Sequence, residues 1–266
     1  MKQISEIAEY LDLVSRYRQK GCRSNDYIQQ CAADLIVQGR LFFQNGQNNV
    51  FFFVKNQVGY RIYYYINEPT EFIGFETESD LVTEILFRGD LPQDEIDFLI
   101  KNGFQVNLIR DQYAGLYKDL TVDEKPILSL KIEAALSIED VETACKLFND
   151  SFDNLSGNFI PTESYGTLFK ECQILVAKEN GAFLGAIHQE KEGATNIIGH
   201  VAVVDSARGK GVGKALVRAF IERNHESDKT RYQLWVQRQN EPAVNMYKKL
   251  GFKFINKSTV SLIKKR

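Results

Sequence analysis

The chain has 266 residues, 44% of them hydrophobic and 26% charged, with a formal net charge of -2. That length holds one or two domains with ample core material, and the near-neutral balance gives no electrostatic footprint for nucleic acid or an anionic membrane. No apolar run is long enough to span a bilayer, MKQISEIAEY lacks a signal peptide's apolar core, and Cys22, Cys31, Cys145 and Cys172 show neither C-x-x-C pairing nor nearby histidines, so reduced cytoplasmic thiols and no metal are expected.

Two helical patterns open the chain. Ile4, Ile7, Ala8, Leu11 and Val14 or Ser15 recur at three and four, as do Tyr27, Ile28, Cys31, Leu35 and Ile36 after the breaker Gly21 and a cap at Ser24 or Asn25. Strands are predicted over 50–54 and 60–66, joined by a turn, with a third near 71–76. Their aromatics, Phe51, Phe52, Phe53, Tyr63, Tyr64 and Tyr65, read as strand residues packing on helices. No basic residues interleave to make a base-stacking surface.

A polar linker over 118–125 ends at Pro126. A strand over 127–134 follows, then a helix capped by Ser137 with Asp140 three later, its apolar face Val141, Ala144, Cys145 and Phe148. A polar loop over 151–161, a short helix over 162–170 and a hairpin over 174–188 lead to the apolar run Val201, Ala202, Val203 and Val204, a buried strand. Arg208, Gly209, Lys210, Gly211, Val212 and Gly213 then open a helix. Glycines between a strand and a helix let backbone N–H groups converge, and the helix N-terminus adds partial positive charge, which suits a phosphate or pyrophosphate. The spacing fits neither the Walker loop, because Lys214 is followed by Ala215, nor G-x-G-x-x-G.

Arg208, Gly211 and Gly213 resemble the acetyl-CoA loop of the GNAT superfamily of N-acetyltransferases: Arg or Gln, two residues, Gly, one residue, Gly or Ala. Residues 232–254 resemble the second signature of that superfamily, a strand followed by Asn240, Ala243, Tyr247 and the pair Gly251-Phe252. The resemblance covers roughly the second half of the chain. It implies acetyl-CoA as co-substrate, with Val201, Ala202 and Val203 offering backbone groups to the pantetheine arm. Arg208, Gly209, Lys210, Gly211, Val212, Gly213 and Lys214 would take the pyrophosphate, Asn240 would hold the cofactor arm or the strand end, and Tyr247 would be the general acid for the leaving thiolate. The family's acceptor loop corresponds to residues bearing Phe152, Asn154, Phe159 and Tyr165. Many members carry a Glu as base before the loop, but Asn196 to His200 holds no acid. His188 and His200 titrate in the right range, yet strand alternation puts His200 on the face opposite Ile197, Gly199 and Val201, as a structural histidine. Glu190 and Glu192 read as solvated, so the expectation is a water-relayed base with no residue assigned.

An internal repeat completes the reading. Residues 81–118 lie without a gap on the stretch around 232–265, placing Leu86 on Leu234, Phe87 on Trp235, Gly103 on Gly251 and Phe104 on Phe252, a shift of 148. The hairpin around Lys55 matches that around Lys178 at a shift of 123, so the first half is shorter by 25 where the second carries its glycine loop. Leu99 falls on Tyr247. The expected fold is α/β: two tandem GNAT-like units, each a mixed, mostly antiparallel sheet flanked by helices, 1–120 without a cofactor loop and 126–266 with one. The first unit is expected to be scaffold and one wall of the acceptor cleft. The expected function is acetyl transfer from acetyl-CoA to a primary amine, on a small molecule or peptide, by a cytoplasmic monomer or homodimer without nucleic-acid or membrane partner. The alternatives are a catalytically silent CoA- or acyl-CoA-binding module and an aminoacyl-type transferase with a larger acceptor.

Overall fold

The computed structural model describes residues 1–71, 74–75, 78–122 and 129–266. From its start the chain forms β1 (Lys2–Gln3), α1 (Ile7–Tyr17), β2 (Arg23–Ser24), α2 (Ala32–Val37), β3 (Leu41–Asn45), β4 (Asn49–Asn56), β5 (Gly59–Ile66), β6 (Leu81–Phe87), α3 (Gln93–Lys101) and β7 (Gln105–Leu116). It continues through β8 (Leu130–Ala134), α4 (Ile138–Ser151), α5 (Tyr165–Lys170), β9 (Ile174–Glu179), β10 (Ala182–Glu192), β11 (Thr195–Val203), α6 (Val212–Arg223), β12 (Arg231–Gln237), α7 (Glu241–Lys249) and β13 (Lys253–Lys264). These elements belong to two units, Met1–Ile109 with Ser258–Arg266, and Arg110–Lys257. This division differs from the expected one at 120/126. It falls inside β7 and β13, so each half of the sequence lends a strand to the unit built mainly by the other half.

In unit 1 the strand order is β1-β3-β4-β5-β6-β13, with β2 against β5. Among the described residues of this unit only β5 and β6 run parallel, from Tyr60 opposite Leu81 to Ile62 opposite Thr83. β4 is buried on both faces. Phe51 and Phe53 join Phe98, Leu99, Phe104, Val260 and Leu262, while Phe52 joins Tyr10, Leu13 and Val14 of α1. The aromatic run is core, as read from the sequence. The buried face of α1 is Tyr10, Leu13, Val14 and Tyr17, whereas Ile7 and Leu11 of the expected stripe are exposed. Two tyrosines outbid the aliphatics because their rings bury more area and their hydroxyls find acceptors, Tyr10 donating to Asp26 (2.8 Å) and Tyr17 to the Gly46 carbonyl (3.1 Å). The second predicted helix shrinks to α2, since Asn25 and Asp26 spend their side chains holding the preceding segment in irregular form. Of the third predicted strand, Gly74 and Phe75 are not in a strand, and 72, 73 and 76 lie outside the described residues.

Asn25 has a specific task. Beyond Ile62 and Thr83 the parallel pair β5 and β6 is no longer laddered. The buried Asn25 carboxamide bridges the strands there: Nδ2 donates to Thr83 Oγ1 (2.9 Å) and the Glu84 carbonyl (3.0 Å), and Oδ1 accepts from the Tyr64 amide (2.9 Å). Just before it, β2 pairs with the end of β5, Arg23 opposite Ile66 and Ser24 opposite Tyr65. The opening between β5 and β6 is therefore plugged by the chain itself.

Unit 2 repeats the arrangement, with order β7-β12-β11-β10-β9-β8 and only β11 and β12 parallel. α6 and α7 cover one face through Val212, Leu216, Val217, Phe220, Ile221 and Tyr247. α4 and α5 cover the other through Val141, Ala144, Cys145, Phe148 and Leu168. Ser137 Oγ accepts from the Asp140 amide at 3.3 Å, the cap expected for α4. The strand expected over 127–134 is seen from Leu130, and 127 and 128 lie outside the described residues.

The shift of 148 that lays Gly103 on Gly251 also lays both ends of α3 on α7 and both ends of β7 on β13. Upstream, sheet order matches β5 with β11 and β4 with β10, one strand further along than the sequence alignment around Lys55 and Lys178. Alternating apolar residues carry a period of two, so sparse identities let an alignment slip to the next hairpin. Where unit 2 has α6, the described residues of 67–80 hold no helix.

Two expectations are open to measurement. A fragment 1–120 lacks the seven residues Ser258 to Lys264 that pair with β6 and bury Val260 and Leu262; it will show no cooperative unfolding transition, and a sharp one equal to that of the full chain contradicts this. Asn25→Ala leaves the buried Tyr64 amide and the Glu84 carbonyl underbonded, and chemical denaturation will show a loss of about 2 kcal/mol or more.

Candidate active site

The site starts from a ladder that stops early. β11 and β12 pair from Thr195 opposite Arg231 to Ile198 opposite Leu234, yet both strands run on, to Val203 and Gln237. Trp235, Val236 and Gln237 pair on their other edge with Gln112, Asp111 and Arg110 of β7. From Gly199 to Val203 the β12-facing edge of β11 has no strand partner among the described residues. The cause is a bulge: on β10, His188 lies opposite His200 and the next residue, Gln189, lies opposite Ile198, leaving Gly199 unpaired. A Cβ on Gly199 would come within 2.7 Å of both Glu190 Oε1 and His188 Nδ1, so a side chain there would have to displace both.

The predicted cofactor residues gather around this divergence. Val201 and Val203 pack into the α6 and α7 cluster, and Ala202 faces the α4 side. α6 begins at Val212, and Gly209 (φ 76°) and Gly211 (φ 83°) adopt left-handed conformations that turn the chain into it. Its first rung is the Ala215 amide to the Gly211 carbonyl (3.0 Å), so the amides of Val212 and Gly213 precede the helical ladder. Gly213 is helical, and a Cβ there would meet only Val203 Cγ2 at 3.6 Å and Met246 Sδ at 3.9 Å. Internal packing gives no reason for a glycine at this position, which costs a helix about 1 kcal/mol. Arg208 pairs with Asp205 at 2.8 Å, and Lys210 is exposed. Lys214 lies in the first turn of α6.

Asn240 caps α7, its Oδ1 accepting from the Ala243 amide at 3.2 Å, and its own amide donates to Gln237 at the end of β12 (2.9 Å). Of its two expected tasks, the structure shows it at the strand end. Tyr247 is buried in the same cluster as Val201, Val203 and Val212, edge-on to Phe252. Burial raises its phenol well above the ordinary tyrosine range, so it stays protonated at any working pH.

The bulge corrects one part of an expectation: His200 lies opposite Val201, as alternation has it, but not opposite Ile197. It resets the alternation, so that Ile198 packs toward α6 and α7 while His200 lies on the α4 face, its ring 5.3 Å from that of Phe148 and 5.2 Å from that of Phe152. Ile197 and His200 thus share a face instead of opposing one another. His200 Nδ1 lies 3.3 Å from His188 Nδ1, and Glu190 Oε1 lies 3.5 Å from the same His188 atom. Burial, with His200 beside it, lowers the His188 pKa to about 4. Burial also raises the Glu190 carboxyl above its usual range. The available signal was Gly199, since a glycine inside a strand pattern marks a bulge. Of the candidate acceptor contacts, Phe152 meets His200, and Asn154 donates to the Asn149 carbonyl (3.1 Å). Phe159 and Tyr165 line a separate groove of about 790 Å³ beside α4.

Among the described residues no cluster of His, Cys, Asp or Glu is placed to hold a metal, and no helix is long and apolar enough to cross a membrane. Residues 141–252, inside unit 2, match the acetyltransferase (GNAT) family. A mycothiol acetyltransferase from Corynebacterium jeikeium is 37% identical over 60 residues, 23% of this chain and 17% of that protein. A tandem GNAT protein from the clavulanic acid biosynthesis pathway has the same fold over 97% of this chain and 94% of its own, at 12% identity and TM-score 0.56. A GNAT-family acetyltransferase from Colwellia psychrerythraea covers 100% of this chain and 99% of its own, at 13% identity and TM-score 0.55. The segment 141–252 is a domain of the acetyltransferase (GNAT) family, in a chain whose whole length follows a tandem GNAT fold.

Proposed function

We propose that unit 2 transfers an acetyl group from acetyl-CoA to a primary amine, on a small molecule or a peptide. The observation that carries this reading is the β11 edge from Gly199 to Val203, which pairs with no strand among the described residues and ends at the glycine turn into α6. An open strand edge takes an extended amide-bearing chain as it would take another strand, which suits a pantetheine arm. The amides of Gly209 to Gly213 and the α6 N-terminus suit a pyrophosphate, with Arg208, Lys210 and Lys214 supplying charge. Glycine at 213 keeps the backbone reachable where the protein itself would accept a side chain. Unit 1 offers no such place: its corresponding opening is filled by Asn25.

Acetyl-CoA supplies an activated thioester. A backbone N–H of the Val201 to Val203 edge polarises its carbonyl, the amine nitrogen forms the new C–N bond, and Tyr247 gives its phenolic proton to the departing sulfur. Burial that raises the phenol also raises the basicity of a thiolate formed beside it, so the two remain matched for transfer. The alternative of a CoA-binding module without turnover is separated by what Tyr247 does.

Titration calorimetry tests the binding half. Wild-type protein will bind one acetyl-CoA per chain, and Gly213→Glu, which has room for its Cβ but places bulk and negative charge at the pyrophosphate, will bind at least tenfold more weakly with unchanged thermal stability. Equal binding by both rejects the cradle. For the chemistry, Tyr247→Phe will lower kcat about a hundredfold while the Kd for acetyl-CoA holds. A parallel loss of both shows that Tyr247 only packs, and an unchanged kcat removes it as the acid.

A further inference from the structure

We propose that Arg110 is a positioning residue for the acceptor: its guanidinium holds the turn over 153–157 across the opening between β11 and β12, where the turn forms a fixed wall for the amine. This rests on the reading of unit 2 as an N-acetyltransferase. Strand alternation places Arg110. Tyr113 and Val236 pack into the α6 and α7 cluster, so Arg110, three residues before Tyr113 and opposite Gln237, lies on the α4 face of the sheet. Gln237 is the last residue of β12, whose pairing with β11 ended three residues earlier at Leu234. Arg110 therefore stands at the far side of the opening from β11.

The chain that leaves α4 is tied down on both sides of that opening. On the β11 side, the Phe152 ring lies 5.2 Å from that of His200, two residues beyond the end of the parallel ladder at Ile198. Four residues further along, on the β7 side, Arg110 Nη2 donates to the Ser156 carbonyl at 2.8 Å. β12 lies between β11 and β7 in the sheet, so a segment fixed to both outer strands crosses the place where β11 and β12 part.

The shape of the turn has its own causes. Asp153 accepts from the amides of Leu155 (3.4 Å) and Ser156 (3.1 Å), and Gly157 takes a left-handed conformation (φ 92°). Asn149 closes the segment behind it, accepting from the Ile160 amide and donating to the Ile160 carbonyl at 2.9 Å each. These bonds stay within one stretch of chain and do not say where on the sheet it sits. The bond from Arg110 does, and a charged donor makes it stronger than a neutral one. Arg238, close by in the sequence of β12, is engaged with Asp111 at 2.7 Å. A wall already ordered need not be ordered by the acceptor, so losing the anchor weakens acceptor binding. Cofactor affinity and the acid are spared, because Val212 and Tyr247 lie on the α6 and α7 face.

The test compares wild type, Arg110→Met and Arg110→Lys in steady-state acetylation of n-hexylamine and of a lysine-bearing peptide, in calorimetric binding of acetyl-CoA, and in hydrogen exchange over 153–157. Arg110→Met keeps the aliphatic stem and removes the donor. It will raise the amine KM about tenfold or more with kcat within about threefold of wild type, and exchange over 153–157 will quicken about tenfold. Its acetyl-CoA affinity will match wild type, which also reports that it is folded. Arg110→Lys restores a charged donor and will bring KM back to within about threefold of wild type. An unchanged KM in Arg110→Met, or kcat and acetyl-CoA affinity falling in step with it, overturns the positioning role and leaves acetyl transfer standing. So does an Arg110→Lys variant no better than Arg110→Met. Wild-type protein that binds acetyl-CoA yet acetylates neither amine removes the positioning role together with the amine reading.

Discussion

Everything in unit 2 that bears on chemistry depends on the parallel ladder between β11 and β12 ending after Ile198 and Leu234. Parallel strands that separate leave backbone donors and acceptors unmet, a condition a buried interior does not tolerate without a partner. The separation is built in by one residue. At Gly199 the chain gains an unpaired position, twists away from β12, and reverses which side chains face which helices. The open edge, the exit toward the glycine turn and the placement of His200 beside Phe148 and Phe152 are three results of the same bulge.

The two units answer that constraint differently. In unit 1 the backbone left over by β5 and β6 is satisfied by Asn25, which presents an amide's donor and acceptor to both strands. In unit 2 the equivalent edge pairs with no strand among the described residues, and the Val203 carbonyl there accepts from Arg208 Nε at 3.4 Å. The residues between β5 and β6 are fewer than those between β11 and β12, and it is the longer connection that holds the glycine turn and α6. Unit 1 therefore has the sheet with its opening filled, and the described residues between β5 and β6 hold no helix. Leu99, at the position matching Tyr247, is wholly buried among Phe98, Phe104 and Val260.

How much was legible follows from which forces act locally. The glycine turn, the Ser137 cap and the helix after Asn240 are set by backbone conformation and short-range hydrogen bonds, and each is written in adjacent residues. The face of α1 was misread because a hydrophobic stripe counts Ile7 and Leu11 above Tyr10 and Tyr17, whereas the fold supplies acceptors for both phenols. β1 and β2 have two residues each and exist only because a neighbouring strand holds them, so no periodicity announces them. The face on which His200 lies relative to Ile197 was hidden for a sharper reason. Alternation is counted from one residue to the next, and a single bulge inverts every assignment beyond it.

The division of the chain carries its own argument. A polar stretch such as 118–125 ordinarily marks where two domains part, yet the units part inside β7 and β13. β13 lies on β6 along Ser258 to Lys264, and β7 lies on β12 along Arg110 to Leu116. These are the two strands that the repeat superposes end to end, so equivalent strands have been exchanged between equivalent units. Such an exchange leaves the contacts of each sheet unchanged while making each unit incomplete without the opposite half of the sequence. The first half of the sequence thus has a structural part in unit 2: it supplies 110–116, the strand against which β12 is held while β11 turns away.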